Sequence, residues 1–204
     1  MGLFVVFEGV DGSGKSTQTR ALRDRLSNAG IASTITHEPG GTPTGNRIRT
    51  WLKAANDIDP LAELLLFSAA RASLVRSVIV PALDRGGVVV CDRYTYSTVA
   101  YQGYGRGLEL ALIQKLNRVA TGGGLTPDLV VLIDLPFDKG LTRKAGAQLD
   151  RFELERKEFH QRVREGYLKM AGEDTGRWLV IDGTKPTDSI TELVWHRVLE
   201  MVNG

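Results

Sequence analysis

Short apolar runs alternate with longer segments of helical spacing along most of the chain. Several runs show no alternation of apolar and polar residues, which is typical of strands buried on both faces of a sheet. We predict strands at Leu3–Phe7, Ile31–Thr36, Val88–Cys91, Leu129–Ile133 and Trp178–Ile181. We predict helices at Lys15–Asn28, Leu61–Leu83, Leu108–Ala120, Glu155–Ala171 and Thr187–Val202. We expect Pro81 to bend or end the second of these helices.

This order of elements predicts an α/β fold of three layers, with a five-stranded parallel sheet flanked by helices. Ligands of such sheets bind beyond the carboxyl ends of the strands. Most of the unusual chemistry of the sequence follows the strands, at Glu8–Ser16, His37–Gly45, Asp92–Gln102, Asp134–Pro136 and Asp182–Pro186. We therefore place the functional site at that edge of the sheet.

Composition narrows the class of protein without deciding its activity. The 204 residues are enough for one domain, and we interpret residues 1–204 as a single domain because the chain has no repeat or linker-like stretch. With 26 Lys and Arg against 24 Asp and Glu, the balance of charge argues against nucleic acid as a partner. No apolar run approaches the ~20 residues of a membrane span, and no secretory leader is visible. The single cysteine, Cys91, fits a reducing compartment, and we expect a cytoplasmic protein.

The segment after the first strand matches the phosphate-binding loop G-x-x-x-x-G-K-[ST] in full. Its glycines permit positive φ angles, and its backbone N–H groups converge on a phosphate at the start of a helix. The lysine can bridge the β- and γ-phosphates, and the serine hydroxyl can bind Mg²⁺. The nucleotide-binding residues predicted here are Gly9, Val10, Asp11, Gly12, Ser13, Gly14, Lys15, Ser16 and Thr17. The motif indicates nucleotide binding and leaves the reaction open.

Three classes of nucleotide protein remain: a GTPase switch, a motor-type ATPase and a kinase for a small acceptor. A GTPase carries an Asn-Lys-x-Asp motif, and no Asn of this chain is followed by Lys. A motor ATPase often ends its second apolar strand in two acids, whereas Asp92 here is followed by Arg93. An acidic residue next to a cationic one suits a site that binds both Mg²⁺ and a second anionic group. A non-catalytic nucleotide-binding module is a further alternative, and the presence of Lys15, Ser16, Asp92 and Arg93 argues against it.

Aromatic and cationic residues favour the kinase with a small acceptor. Aromatic faces stack on bases, and guanidinium groups grip phosphates or base carbonyls. Phe67 and Arg71 lie four residues apart, on one face of a predicted helix. The other members of this collection are Arg93, Tyr94, Tyr96, Tyr101 and Gln102.

The chain resembles the bacterial thymidylate kinase family along nearly its whole length. The matching stretches are Phe7–Lys15, Glu38–Gly41, Phe67–Arg71, Asp92–Tyr94, Ala100–Gly103, Pro127–Asp128 and Leu149–Arg151. Together they are much more specific than the phosphate loop alone. The resemblance implies the phosphate-loop fold with a short lid, and transfer of the γ-phosphoryl group of MgATP to dTMP, which gives dTDP for dTTP synthesis. A kinase for another nucleoside monophosphate is the alternative within this class.

The resemblance also implies a role for each acceptor-side residue. Asp11 would contact the 3′-hydroxyl of the sugar, and Glu38 lies in a loop that closes on the acceptor. Arg49 and Arg71 would hold thymine and position the monophosphate, while Phe67 stacks on the base. Arg93 would grip the acceptor phosphate, and Asp92 would orient it or support Mg²⁺, for which Ser16 and Asp92 are the predicted ligands. Ser97 and Gln102 would reach the polar edge of thymine, and Tyr101 would fill the space of a 2′-hydroxyl.

The transferred phosphoryl group needs a cation beyond Lys15 and Mg²⁺. One branch of the family carries that arginine in the phosphate loop, at the position where this chain has Gly12. We therefore assign the chain to the branch that supplies it from a lid, at residues 140–151. Arg143 is the first candidate, with Lys144 and Arg151 as alternatives. The predicted catalytic residues are Lys15, Asp92, Arg93 and Arg143.

Three smaller expectations concern the acceptor loop and the assembly. Relatives often carry Arg where this chain has His37, which would be only partly charged at neutral pH. A tight loop beside a ligand is where a cis Glu38–Pro39 bond occurs. The long helix Leu61–Leu83 is more apolar than one core needs, and relatives form homodimers through this region, so we expect a homodimer.

Overall fold

A five-stranded sheet forms the centre of the structure, which is a computed structural model that describes residues 2–55, 57–143 and 151–204. All its strand pairs are parallel, in the order β2-β3-β1-β4-β5. The strands are β1 (Phe4–Glu8), β2 (Ser33–His37), β3 (Val88–Asp92), β4 (Leu129–Asp134) and β5 (Trp178–Asp182). The α/β class and all five predicted strands are confirmed, with small shifts at their ends.

Helices follow each strand, as the right-handed crossovers of a parallel sheet require. The described helices are α1 (Lys15–Asn28), α2 (Pro43–Ala54), α3 (Pro60–Leu74), α4 (Val80–Asp84), α5 (Thr95–Thr98), α6 (Leu110–Ala120), α7 (Phe137–Arg143), α8 (Lys157–Glu173) and α9 (Thr187–Asn203). Two π-helical segments, Val75–Ile79 and Val99–Gly105, extend α3 and α5.

The sheet is buried on both faces, because alternate residues of its central strands enter different cores. Val5 and Phe7 of β1 pack with α1 and α9, whereas Phe4 and Val6 pack with the long helical segment that begins at α3. A third cluster joins β4 to α8 and to the second π-helical segment. This arrangement gives the three layers that the unbroken apolar strands predict.

The long apolar helix differs from its prediction at Pro81. The helical segment does not end or break there but runs from Pro60 to Asp84 through the π-helical turn Val75–Ile79. Proline has no N–H to donate and clashes with an ordinary preceding turn, whereas the first turn of a helix tolerates it. Pro81 lies in the first turn of α4, and the wider π-turn before it accommodates the ring.

Helix α2 is absent from the predicted elements, and the structure corrects this. Pro43 occupies the first turn, and the Thr42 hydroxyl accepts a hydrogen bond from the Gly45 N–H at 3.0 Å. Both are common signals of a helix start. Residues 95–105, for which the sequence analysis predicts no helix, are also helical, through α5 and the π-helical turns that follow it.

By length and composition alone, the helical segment Pro60–Asp84 could cross a membrane. Its most apolar 18-residue window has a mean hydropathy of 1.5, and 39% of that window is buried inside the fold. Such a helix is weak evidence for a span, because the core helix of a globular protein has the same character. Its outward side carries exposed Leu61, Leu65 and Val80.

Candidate functional site

The phosphate loop joins β1 to α1 and lies at the carboxyl edge of the sheet. Gly9, Gly12 and Gly14 have φ angles of 140°, 76° and 103°, which side chains rarely adopt. Lys15 turns its ammonium group back onto the loop, where Nζ donates to the carbonyl oxygens of Gly9 (3.0 Å) and Val10 (2.8 Å). Burial, with Arg93 nearby, lowers the pKa of Lys15 to about 8. A phosphate would give this cation the counter-charge that the loop carbonyls do not supply.

Two side-chain oxygens that could bind a divalent cation come together at the end of the loop. The Ser16 hydroxyl donates to Asp92 Oδ2 at 2.6 Å, so the two side chains converge on one point. Among the described residues, no group of three or more His, Cys, Asp or Glu could hold a metal ion. Mg²⁺ commonly takes one or two protein oxygens together with phosphate oxygens and waters. The pair therefore fits a magnesium ion that a nucleotide brings with it.

Arg93 is the centre of the acceptor side. It follows β3 with a φ of 73°, and it is the one non-glycine residue with positive φ in the described ranges. Its guanidinium group pairs with Asp11 Oδ1 at 2.9 Å and lies 5.0 Å from the centre of the Tyr101 ring. Tyr101 in turn donates its hydroxyl to Asp11 Oδ2 at 2.9 Å. A strained backbone held by such contacts is typical of a functional position.

A fully buried carboxylate, Glu8, fixes the turn that contains Arg93. Its Oε1 accepts the backbone N–H of Tyr94 (2.9 Å) and of Ser97 (3.1 Å). Its Oε2 accepts the hydroxyls of Ser97 (2.6 Å) and Tyr167 (2.8 Å). Burial raises the pKa of Glu8, against the opposing charge of Arg93. The hydroxyl proton of Ser97 is therefore engaged inside the protein.

Arg71 lies buried beneath the acceptor pocket with most of its donors in use. Its guanidinium group donates to Glu38 Oε2 (2.8 Å), Asn117 Oδ1 (2.6 Å), the Tyr94 carbonyl (3.1 Å) and the Thr98 hydroxyl (2.7 Å). The group is thus held rigidly, and few of its N–H bonds remain for a ligand.

Glu38 precedes a cis peptide bond to Pro39, as the sequence analysis predicts. One carboxylate oxygen pairs with Arg71, and the other, Oε1, is buried without a hydrogen-bond partner among the described residues. Burial raises the pKa of Glu38 to about 7, although Arg71 opposes the shift. The neighbouring His37 has its pKa lowered by burial and by Arg49, so this side of the site gains little positive charge from it.

One cavity of about 910 Å³ joins the phosphate loop to the acceptor side. Its wall includes the loop residues from Asp11 to Thr17 and most of the acceptor-side residues that the sequence predicts: Glu38, Arg49, Phe67, Arg71, Asp92, Arg93, Ser97, Tyr101 and Gln102. Tyr94 and Tyr96 do not line it, because Tyr94 packs against Phe4 and Tyr96 against Trp178. The loop residues Gly9 and Val10 do not line the cavity, and their carbonyl oxygens accept hydrogen bonds from Lys15. A cavity of this size, lined by aromatic and charged groups, suits two nucleotides end to end.

Of the two described lid candidates, Arg143 lines this cavity and Arg151 does not. Arg143 reaches the wall and donates to the carbonyls of Gly183 (2.8 Å) and Ser13 (3.5 Å). Arg151 instead pairs with buried Glu63 at 2.5 Å, and its guanidinium group lies 4.6 Å from the centre of the Phe152 ring. Lys144, the third candidate, lies outside the described residues. Arg143 therefore lies nearest the phosphate loop of the two described candidates.

The phosphate loop touches the start of the lid backbone to backbone. A Cβ atom added to Gly12 would lie 2.2 Å from the carbonyl oxygen of Gly140 in α7. A Cβ atom added to Gly140 would lie 2.4 Å from the carbonyl oxygen of Asp11. Two glycines are thus needed for α7 to approach the loop this closely.

Sequence reasoning assigned no role to several residues of the site, among them Glu8, Glu63, Arg106, Phe152 and Tyr167. Glu8 lies at the carboxyl end of β1, and this position could have marked it as part of the site. Tyr167 lies within α8, 159 residues from the Glu8 carboxylate that it contacts, and no local pattern marks it.

Comparison with known proteins agrees with this geometry. The model of the thymidylate kinase family matches residues 7–194. Two relatives named thymidylate kinase are 50% identical in Deinococcus radiodurans (98% of this chain and 97% of the relative) and 47% identical in Thermomicrobium roseum (99% and 97%). The crystal structure of thymidylate kinase from Ehrlichia chaffeensis superposes with a TM-score of 0.81, at 34% identity over 98% of each chain. The chain therefore belongs to the thymidylate kinase family.

Proposed function

We propose that this protein transfers the γ-phosphoryl group of MgATP to the 5′-phosphate of dTMP, giving ADP and dTDP for dTTP synthesis. The observation that carries the proposal is the single cavity in which the phosphate loop faces Arg93, Phe67 and Arg71. A GTPase switch or a motor ATPase needs no second nucleotide pocket beyond its phosphate loop. The acceptor pocket thus favours a kinase.

On the donor side, the loop N–H groups and Lys15 would bind the β- and γ-phosphates. Ser16 and Asp92 would hold Mg²⁺, which neutralises charge on the phosphate oxygens when it is bound. The attacking oxygen of dTMP is already an anion, so the protein needs no strong general base. Its contribution is to position two polyanions and to surround the transferred group with cations.

On the acceptor side, Phe67 would stack on thymine, and Arg93 would grip the monophosphate. Tyr101 lies beside Asp11, where its ring would meet a 2′-hydroxyl and favour deoxyribose. Asp11 would receive the 3′-hydroxyl. Glu38, Arg49, Arg71, Ser97 and Gln102 complete this pocket in our proposal.

We infer that Arg143 supplies the additional cation from the lid at residues 140–151. It reaches the cavity wall between the phosphate loop and the β5–α9 turn, whereas Arg151 is committed to Glu63. A closing lid would also exclude water from the γ-phosphate.

We further propose one kinase domain over residues 1–204, a cytoplasmic location and a homodimer. The exposed apolar residues Leu61, Leu65 and Val80 recur at helical spacing along one outward face of Pro60–Asp84. A second copy packing against this face would bury it.

A panel of nucleoside monophosphates tests the activity. We expect ADP release with MgATP and dTMP, weaker turnover with dUMP because one methyl group is worth only ~1–3 kcal/mol, and little release without an acceptor. Lys15→Ala should lower kcat by about 100-fold or more with the fold retained. Equal ADP release with and without dTMP would identify an ATPase and refute the proposal.

A further inference from the structure

We propose that Glu63 is a positioning residue for base selection, which turns the side-chain amide of Gln102 so that its oxygen faces the base. This inference rests on the proposed function, because it assumes that the nucleobase of the acceptor lies against Gln102. It concerns a residue that does not line the cavity and that touches the acceptor pocket only through its neighbour.

Glu63 is a fully buried carboxylate in the first turn of α3. Its Oε1 accepts a hydrogen bond from Gln102 Nε2 at 2.6 Å. Its Oε2 accepts one from Arg151 at 2.5 Å, and the Arg106 guanidinium group spans both oxygens at 3.4 Å. Each oxygen of this carboxylate therefore has a donor on it.

The charge of this cluster decides which way the Gln102 amide points. A carboxylate paired with two guanidinium groups has no proton to donate and only accepts hydrogen bonds. The amide atom at 2.6 Å must then be the nitrogen, because an amide oxygen there would face another acceptor. With its nitrogen held by Glu63, Gln102 turns its oxygen the other way. Between described residues, Gln102 Oε1 accepts no hydrogen bond, and Gln102 forms part of the cavity wall.

An acceptor oxygen at this point selects a base by the polarity of its edge. Thymine presents an N3–H donor, whereas cytosine presents a bare N3 acceptor and would leave two acceptors facing each other. A site built to hydrogen-bond one group rejects an analogue that lacks it far more strongly than a hydrophobic pocket rejects a missing methyl. 5-Methyl-dCMP is the matched probe, because it keeps the thymine methyl and differs from dTMP only along this edge.

Replacement of Glu63 by glutamine should invert the amide of Gln102. In Glu63→Gln, Arg151 and Arg106 hold the new amide oxygen, so the new amide nitrogen faces Gln102. Gln102 must then turn its own oxygen towards position 63 and present its nitrogen to the base. Glu155→Gln is the control, because Glu155 also pairs with Arg106 but has no contact with Gln102 among the described residues.

The experiment measures kcat/KM for dTMP and for 5-methyl-dCMP in the wild type and both variants. We expect the wild type to prefer dTMP by about 1,000-fold or more. In Glu63→Gln this preference should fall at least tenfold, mainly through KM for the monophosphates, while KM for ATP stays within about twofold. Glu155→Gln should keep the wild-type preference.

An unchanged preference in Glu63→Gln would overturn the inference, since a purely structural role alters activity towards both substrates alike. A wild-type preference below about tenfold would also overturn it, even if the variant fails to fold. Failure of the proposed function is a separate outcome, because the wild type would then not phosphorylate dTMP at all.

Discussion

Arg71 and Glu38 form a buried ion pair whose charge depends on pH near neutrality. Glu38 has one oxygen on Arg71 and one buried oxygen without a partner among the described residues. Burial raises its pKa from 4.5 to about 7. A raised carboxyl pKa means that the folded state binds the proton more tightly than the unfolded chain. The stabilisation of the folded state by protonated Glu38 is fully present below about pH 4.5, and it is lost as pH rises through about 7.

The wild type should therefore lose stability between pH 5 and pH 8, and Glu38→Gln should not show this loss. We expect the free energy of unfolding of Glu38→Gln, relative to the wild type, to rise over this range by about 1 kcal/mol or more. Urea denaturation at a series of pH values measures it. Glu109→Gln, which removes an exposed carboxylate, should show a nearly constant difference. A constant difference for Glu38→Gln as well would mean that this carboxyl keeps its ordinary pKa.

At the scale of elements, contact between the phosphate loop and α7 couples two parts of the site. The phosphate loop could be predicted because its spacing encodes its own backbone geometry. The approach of Gly140 to Asp11 could not, because it depends on how segments about 130 residues apart in the chain pack together. The same coupling places Arg143, three residues after Gly140, against the carbonyls of Ser13 and Gly183.

Gly140→Ala should slow phosphoryl transfer although alanine favours helices by about 1 kcal/mol over glycine. The added methyl group would lie 2.4 Å from the Asp11 carbonyl oxygen, so α7 must move away from the loop and carry Arg143 with it. We expect kcat to fall at least tenfold with the thermal midpoint little changed. Gly172→Ala is the control, because nothing lies within 4 Å of the added atom in α8. Wild-type kcat in Gly140→Ala would show that this contact is dispensable.

The strands were predictable from sequence because burial on both faces leaves an unbroken apolar run. Helix α2 was not, because Gly45, Asn46 and Thr50 are poor helix formers and its apolar stripe is short. The pair Thr42-Pro43 was the part of the sequence that indicated where this helix begins. Glu63 and Tyr167 contact residues far away in the sequence, and the sequence did not single them out because nothing local distinguishes them from core or surface positions.

At the scale of the whole molecule, the outward face of Pro60–Asp84 carries several exposed apolar residues. Leu61 and Leu65 are 43% and 48% exposed, and Val80 lies further along the same helical segment. Trp51 of the adjoining α2 is also exposed. Large exposed apolar residues grouped on one face mark an interaction surface.

Leu65→Glu should convert a homodimer into a monomer, because two buried carboxylates would face a desolvation cost at a symmetric interface. Light scattering at micromolar concentration measures the mass. Leu193→Glu is the control, since Leu193 is 43% exposed on α9, on the opposite side of the sheet. A wild-type protein that is monomeric under these conditions would contradict the proposed assembly.

The paired glycines at positions 12 and 140 have a consequence for how such proteins diverge. An arginine introduced at position 12 would require its Cβ atom 2.2 Å from a carbonyl oxygen, on a backbone with φ of 76°. If Arg143 supplies the cation from the lid, as we propose, this backbone has no room for a second one carried at position 12. A side chain at position 12 would fit this chain only after α7 moved away from the loop, so a second change in α7 would have to accompany the substitution.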